Sequence, residues 1–543
     1  MWQQVYDPLG SPLVSTLLAA APIVVLLGLL VAGRSAPFAA VAGLMTALLG
    51  AVFGFGMPPQ MALASAGYGA LFGLLPIGWI VLAAVFLYQL TVKTGQFEIV
   101  KRSVAALSPD RRMQALLIAF SFGSFLEGAA GFGTPVAISA ALLIGLGFSP
   151  LYAAGLSLIA NTSPVAFGAL GTPIITLAKV SGIGEMELSQ MAGRQLPFFS
   201  LIVPAWLVAT MSGWRGVVGC WPAILVCGGT FAAAQFVTSN FHGPTLVDVC
   251  GGIGSMVALA ILLRFWQPPQ VWRFPEEPAS TTPTESHLPL RTSQVMYAWF
   301  PWVLLSTMVF LWGWPDVKTA LNDVSKLSFP IPALHEQVTR TPPVVLKPSP
   351  EKAIYELNWL SATGTGIFLA AILTAFWLRV RPAHFVMWFG ETAWKMREAL
   401  FTIACMLALA FTTKYSGSDA TLGLAFTKTG WFYPFFAPLL GWLGVALTGS
   451  DTSSNALFGS LQKITAEQLG LNPTLIVASN STGGVMGKMI DAQSIVVAAV
   501  ATGQRGGEGQ ILRFVFWHSV VLAAAVGALT LFQAYVTPWV APS

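Results

Sequence analysis

One carboxylate, Glu127, is the only charged side chain between Met113 and Ala178. It stands in Ser124-Phe-Leu-Glu-Gly-Ala-Ala-Gly-Phe-Gly-Thr-Pro135, where three glycines and a proline interrupt an apolar run. Two half-helices meeting at an unwound turn suit this composition better than a straight helix, and at membrane depth unwound backbone is tolerated only where it lines a cavity. A helix amino terminus facing such a cavity offers free N–H groups and partial positive charge to a carboxylate ligand. Gly128, Gly131 and Gly133 are therefore candidates to hold one. A lone intramembrane carboxyl is a functional candidate by default, and desolvation favours its protonated form, so Glu127 is a candidate proton carrier. The same glycines could instead serve close helix packing, with Glu127 paired.

Three more clusters of small polar residues interrupt apolar sequence. Asn161, Thr162 and Ser163 precede Pro164; Asp451, Ser453, Ser454 and Asn455 lie in Thr448–Asn455; Asn480, Ser481 and Thr482 lie in Ser479–Gly484. Short hydroxyl and amide side chains with freed carbonyls can bind the hydroxyl and carboxylate of a small acid, or a sodium ion. The clusters locate a site without naming its ligand, and polar glue between helices is the alternative. Asp451 is a second candidate proton carrier. Lys488 and Asp491, three apart, make either a structural ion pair or a substrate cation with its counter-charge. Lys414 either joins the site or snorkels to the interface, and Gln493 is a further polar candidate.

Other chemistry is poorly supported. The sequence holds no P-loop, no Gly-x-Gly-x-x-Gly, no His-Glu-x-x-His and no histidines at metal-ligand spacing. Cys220, Cys227, Cys250 and Cys405 lie in apolar runs without Cys-x-x-Cys spacing and read as buried hydrophobes. No enzyme, metal or cofactor is expected.

The elements that must position these residues follow from composition. Of 543 residues 55% are hydrophobic and 9% charged, against roughly a quarter charged in soluble domains. This excludes an ordinary soluble domain. Spans such as Leu13–Ala32, Phe38–Gly56, Ile77–Val92 and Val217–Val237 recur, and roughly 12 to 14 transmembrane helices are expected. The fold class is an all-α polytopic membrane protein.

Net charge is +5, and the basic residues gather in Lys93–Arg112, around Arg379–Arg397 and in Arg505–Arg513, which places those stretches in the cytoplasm. The first twelve residues lack Lys and Arg and the first flanking cation is Arg34, so a retained first span and an outside amino terminus are expected. An even number of spans returns the carboxyl terminus outside. Residues 268–294 read as a polar linker between an N-terminal half, 1–267, and a C-terminal half, 295–543; the charge-balanced loop 315–356 suits the outside.

The halves show a weak self-similarity. Lys93-Thr-Gly95 matches Tyr415-Ser-Gly417, Glu127 matches Asp451, Pro150 matches Pro473, and Asn161 and Gly168 have the separation of Asn480 and Gly487. Ile77–Val92 runs into a basic loop, whereas its counterpart Ala399–Thr413 starts from one. Two inverted repeats are expected, with cores at about 77–182 and 399–503 and with broken or re-entrant helices, an architecture of secondary transporters.

The chain resembles the bacterial L-lactate permease family. The motifs that carry the resemblance are Trp2-Gln-Gln-Val-Tyr-Asp-Pro-Leu-Gly10, Glu127-Gly-Ala-Ala-Gly-Phe-Gly133, Asn161-Thr-Ser-Pro-Val-Ala-Phe-Gly-Ala169, Gly193-Arg-Gln-Leu-Pro197 and Gly441-Trp-Leu-Gly-Val-Ala-Leu-Thr-Gly-Ser-Asp-Thr-Ser-Ser-Asn-Ala456. It implies import of L-lactate and related 2-hydroxy monocarboxylates (glycolate, D-lactate) with protons, in a bacterial inner membrane. Two departures stand out: the family typically has Asn where Lys414 stands and Ser-Pro where Asp491-Ala492 stand. A sodium-coupled carboxylate transporter of the same fold is the nearer alternative. A proton-conducting subunit of a respiratory enzyme, with Glu127, Lys414 and Asp451 as its path, is the alternative from another class.

Overall fold

The computed structural model describes the whole chain except residues 33, 106–107, 130, 132–133, 275–290, 346, 505–506 and 543. A two-residue strand, β1 (Trp2–Gln3), leads into α1 (Pro12–Val31), α2 (Ala36–Leu49), α3 (Pro59–Phe72) and α4 (Trp79–Lys93). The short α5 (Gln96–Ala105) follows, then α6 (Arg111–Gln114), which continues through a π-helical stretch, Ala115–Phe122, into α7 (Gly123–Ala129). Beyond a break come α8 (Thr134–Gly145), α9 (Pro150–Ala160), α10 (Gly168–Ser181), α11 (Glu185–Phe241) and α12 (Val247–Phe265).

α11 holds 57 residues, about 85 Å as one rod and nearly three hydrocarbon thicknesses. It doubles back instead at Gly213, whose φ of +66° few residues but glycine adopt. Its two arms are tied together: Ser189 Oγ donates to the Ser239 carbonyl (2.9 Å) and Ser200 Oγ to Gln235 Oε1 (2.7 Å).

After residues outside the description come α13 (Thr292–Gly313) and α14 (Pro315–Ser325), then strands β2 (Lys326–Pro330), β3 (Val338–Arg340), β4 (Ser349–Pro350) and β5 (Ile354–Asn358). The remainder is α15 (Thr363–Trp377), α16 (Pro382–Ser416), α17 (Ser418–Phe426), α18 (Tyr433–Thr448), α19 (Asp451–Gln468), α20 (Pro473–Gly487), α21 (Ala492–Ala501) and α22 (Glu508–Tyr535). Among the described residues seven helices are long and apolar enough to cross a membrane, and the bent pair Pro150–Ala160 and Val165–Ser181, at 62°, makes an eighth. The hairpin in α11 and the half-length helices around the breaks explain why the sequence shows more crossings than there are long helices.

The polar loop between α13 and α15 folds into a small β cap. β2 pairs antiparallel with β5, β3 with β4, and β1 joins parallel to β3 with Trp2 opposite Val338. The amino terminus and this loop therefore share one face. Gln4 Nε2 donates to the Lys414 and Tyr415 carbonyls (2.9 and 3.0 Å), so the carboxyl end of α16 lies there too. At the opposite face the Lys93 ammonium, ending α4, pairs with Glu391 near the start of α16. α4 and α16, the counterparts in the two repeats, pack side by side and run in opposite directions. The repeats also interlock crosswise, with α10 against α19 and α21 against α8.

Candidate functional site

Each repeat contains two breaks, and all four converge. In the first repeat α7 ends just after Glu127, and Gly131, at φ +59°, turns the chain. The second break runs from Asn161 through a 3-10 turn, Val165–Phe167, to Ala169, Leu170 and Gly171, whose φ values are +43°, +58° and +79°. Left-handed Ala and Leu store about 1–3 kcal/mol each and persist only where packing dictates them. The two breaks touch: a methyl group at Gly168 would lie 2.5 Å from Glu127 Oε1, and one at Gly131 would lie 3.0 Å from Ala169 Cβ.

In the second repeat the breaks are Gly449-Ser450, with Gly449 at φ +73°, and Lys488–Asp491. Lys488 joins them, its ammonium donating to the Gly449 carbonyl at 2.6 Å and lying 3.3 Å from Asp491 Oδ2. Asp491 Oδ1 accepts from the Ser494 amide at 2.7 Å and so caps α21. α10 packs on α19, and Asn455 Nδ2 reaches the Pro173 carbonyl, so the breaks of the two repeats form one polar centre. It is sealed from solvent: Glu127 is 4% exposed, Asn161 3% and Asp491 0%.

The polar groups of this centre divide into two kinds. Those of the second repeat are largely committed to one another. Asp451 Oδ2 accepts from Ser481 Oγ and from Asn455 Nδ2 (3.3 Å). Asn480 Nδ2 donates to Asn455 Oδ1 (2.9 Å), and Asn455 Nδ2 also to the Pro173 carbonyl of α10 (3.2 Å). Gln462 Nε2 donates to Asn480 Oδ1 (3.2 Å), and Tyr433 donates to Gln462 Oε1 (2.7 Å). Ser454 Oγ donates to the Gly441 carbonyl (3.0 Å), Thr482 to Gln195 Oε1 (2.7 Å), and the Ser453 amide to Ser450 Oγ (3.2 Å). Such a network fixes helices against one another.

Around the first-repeat breaks the opposite holds. Glu127 Oε2, both amide atoms of Asn161, and the hydroxyls of Ser124, Ser157 and Ser163 are buried without a hydrogen-bond partner among the described residues. Ser124 lies one turn before Glu127, and Ser157 one turn before Asn161. Gly168, in the break that Asn161 opens, packs against Glu127. Thr162 alone is spent locally, donating to the Ile159 carbonyl at 2.7 Å. Buried polar atoms are normally paired, and a concentration of exceptions marks a place where a ligand completes the bonding.

The remaining sequence candidates are dispersed. Lys414 is half-buried and donates to the Val180 carbonyl at the end of α10 (3.3 Å). Gly128 packs on α12, Gly133 lies outside the described residues, and so does the side chain of Gln493 in α21. Glu127 and Asp451, matched in the sequence, differ in place: Glu127 closes the helix before its break and Asp451 opens the helix after its own. The left-handed glycines Gly131 and Gly449 are the better structural match. Asp248, in the first turn of α12, was not singled out; it is 1% exposed and neither oxygen has a partner among the described residues. Its signal was available, since it is the only charged residue between His242 and Arg264.

A helical chain whose broken helices meet around a buried polar centre has the architecture of an integral membrane transporter. Residues 15–537 match the family model described as L-lactate permease, and the chain belongs to that family. It is 47% identical to an L-lactate permease of Salmonella typhimurium over 549 residues, covering 100% of both chains. Likeness to a glycolate permease, GlcA, of Escherichia coli K12 is 48% over 98% of each. An L-lactate permease of Bacillus subtilis is 47% identical over the full length of both.

Proposed function

We propose that the protein imports L-lactate, and with it glycolate and D-lactate, together with protons across a bacterial inner membrane, with both termini outside. The observation that carries this reading is the buried cluster of unpartnered polar atoms at the first-repeat breaks, set against Lys488. A 2-hydroxy monocarboxylate fits its chemistry. Lys488 supplies a cation for the carboxylate, the Asn161 amide can donate to a carboxylate oxygen and accept from the 2-hydroxyl, and Ser157 and Ser163 offer further hydroxyls. The second-repeat network, with Ser453, Ser454, Asn455, Asn480 and Ser481, holds the scaffold on which those groups stand.

Glu127 is the proton carrier of this scheme, since it lies in the same centre and an isolated buried carboxylate is costly in its charged form. Names of relatives support the substrate class: both lactate and glycolate permeases lie at nearly the same identity. The test is uptake of labelled L-lactate into proteoliposomes, with glycolate and D-lactate as competitors, under a pH gradient or a sodium gradient. Accumulation driven by pH alone is expected, with both competitors inhibiting. Accumulation that requires sodium would overturn the coupling, and no uptake of any of the three acids would overturn the substrate.

A further inference from the structure

α12 crosses α7 where both are reduced to glycine. A methyl group at Gly252 would lie 2.5 Å from the Phe125 amide nitrogen, and one at Gly128 would lie 2.7 Å from Asp248 Cβ. This contact sets Asp248 beside the residue that follows Glu127. Neither Asp248 oxygen nor Glu127 Oε2 has a donor among the described residues.

A carboxylate buried without a donor pays the full cost of desolvation, which its protonated form avoids. We propose that Asp248 is a second proton-carrying carboxyl in the transport cycle, beside Glu127. The inference rests on the proton-symport reading and deepens it. When the substrate anion binds, a proton from the outer side adds to the Asp248 carboxylate; on the inner side the same O–H bond breaks as the anion leaves.

The surroundings leave few other groups to titrate. α7 brings Glu127, and the break between α20 and α21 brings Lys488 and Asp491 through it. α11 contributes the Cys227 thiol, 3.4 Å from Ser121 Oγ of the π-helical stretch; its charged residues lie at its ends and near its turn. The π-helical stretch has no charged residue, and the one of α10, Lys179, sits over the rings of Tyr68 and Phe72 (5.5 and 5.0 Å).

The test compares wild type, Asp248→Asn and Asp248→Glu in proteoliposomes, with pH-driven accumulation and L-lactate exchange measured separately over a range of pH. Asp248→Asn is expected to lose accumulation down to the level of protein-free vesicles and to flatten the pH profile while keeping exchange; Asp248→Glu is expected to restore accumulation. A merely structural Asp248 would leave the pH profile in place. Labelling wild type with a carbodiimide, which converts a protonated carboxyl to an N-acylurea, needs no variant. Mass spectrometry is expected to find adducts on Glu127 and on Asp248. Wild-type uptake driven by pH with Asp248→Asn unchanged, or labelling of Glu127 with none on Asp248 at any pH, would overturn this inference alone. Wild-type uptake driven only by sodium would overturn it together with the symport reading.

Discussion

Replacing Lys488 by methionine takes away the cation that joins the two second-repeat breaks and leaves Asp491, fully buried, as a charge without a counter-ion. At the observed 3.3 Å, the pair attracts by about 5 kcal/mol at an effective dielectric constant of about 20. In the intact pair this attraction offsets the desolvation of both groups; with Lys488 gone the desolvation of Asp491 stays. Breaking a buried pair in this way costs about 3–5 kcal/mol. Asp491→Asn alone should cost less, because Lys488 keeps the Gly449 carbonyl at 2.6 Å. In Lys488→Met/Asp491→Asn no charge is stranded, so most of the lost stability should return. Reversible denaturation in mixed micelles gives the double-mutant cycle, and L-lactate uptake on the same proteins gives function. If Lys488 also receives the substrate carboxylate, the double variant regains stability but not uptake. A Lys488→Met protein as stable as wild type would refute the electrostatic argument, and a double variant with wild-type uptake would refute the substrate role.

Gly168→Ala places a methyl group 2.5 Å from Glu127 Oε1. Gly168 has an ordinary extended backbone, φ −61° and ψ 159°, so the cost is overpacking alone: stability should fall by about 1–3 kcal/mol while pH-driven uptake collapses as the carboxyl is displaced. Uptake at the wild-type level would show that the position of Glu127 is unimportant. Asn480→Ala strips partners from Asn455 and Gln462 and should lower stability by about 1–3 kcal/mol. Asn161→Ala, which removes an amide bonded to nothing among the described residues, should leave stability near wild type and raise KM for L-lactate; denaturation midpoints and uptake kinetics separate the two. Gln4→Ala should expose the end of α16 by freeing the Lys414 and Tyr415 carbonyls, and limited proteolysis under the β cap should speed up; an unchanged cleavage pattern would mean that β1 alone holds the terminus.

Glu127 and three of the four breaks were legible because chemistry at membrane depth leaves a plain mark: one charge in a long apolar run, and glycine or proline where a helix would otherwise continue; the fourth falls at Lys488–Asp491, beyond the Ser479–Gly484 cluster, which stays helical inside α20. The inverted relation was legible from the basic residues flanking the counterparts of α4 and α16. What escaped was the partnering of side chains. Asn161 and Asn480 look alike in sequence, yet among the described residues one has no partner and the other is held by Asn455 and Gln462, because only packing decides which neighbour stands opposite. Thr482 is spent on Gln195, a residue of α11 that nothing local to Thr482 reveals. Asp248 was passed over because an acidic residue in a first helical turn ordinarily serves the helix dipole; its burial against Gly128 depends on a helix crossing. The β cap was read only as a polar loop, since strands of two to five residues leave too short a period to recognise.

The most direct test of the account is Glu127→Gln in proteoliposomes, comparing pH-driven accumulation of labelled L-lactate with its exchange at equal pH on both sides. The account predicts that accumulation disappears while exchange persists, because the substrate groups at Asn161 and Lys488 remain and one of the two proton carriers is gone. Full pH-driven accumulation by this variant would contradict it.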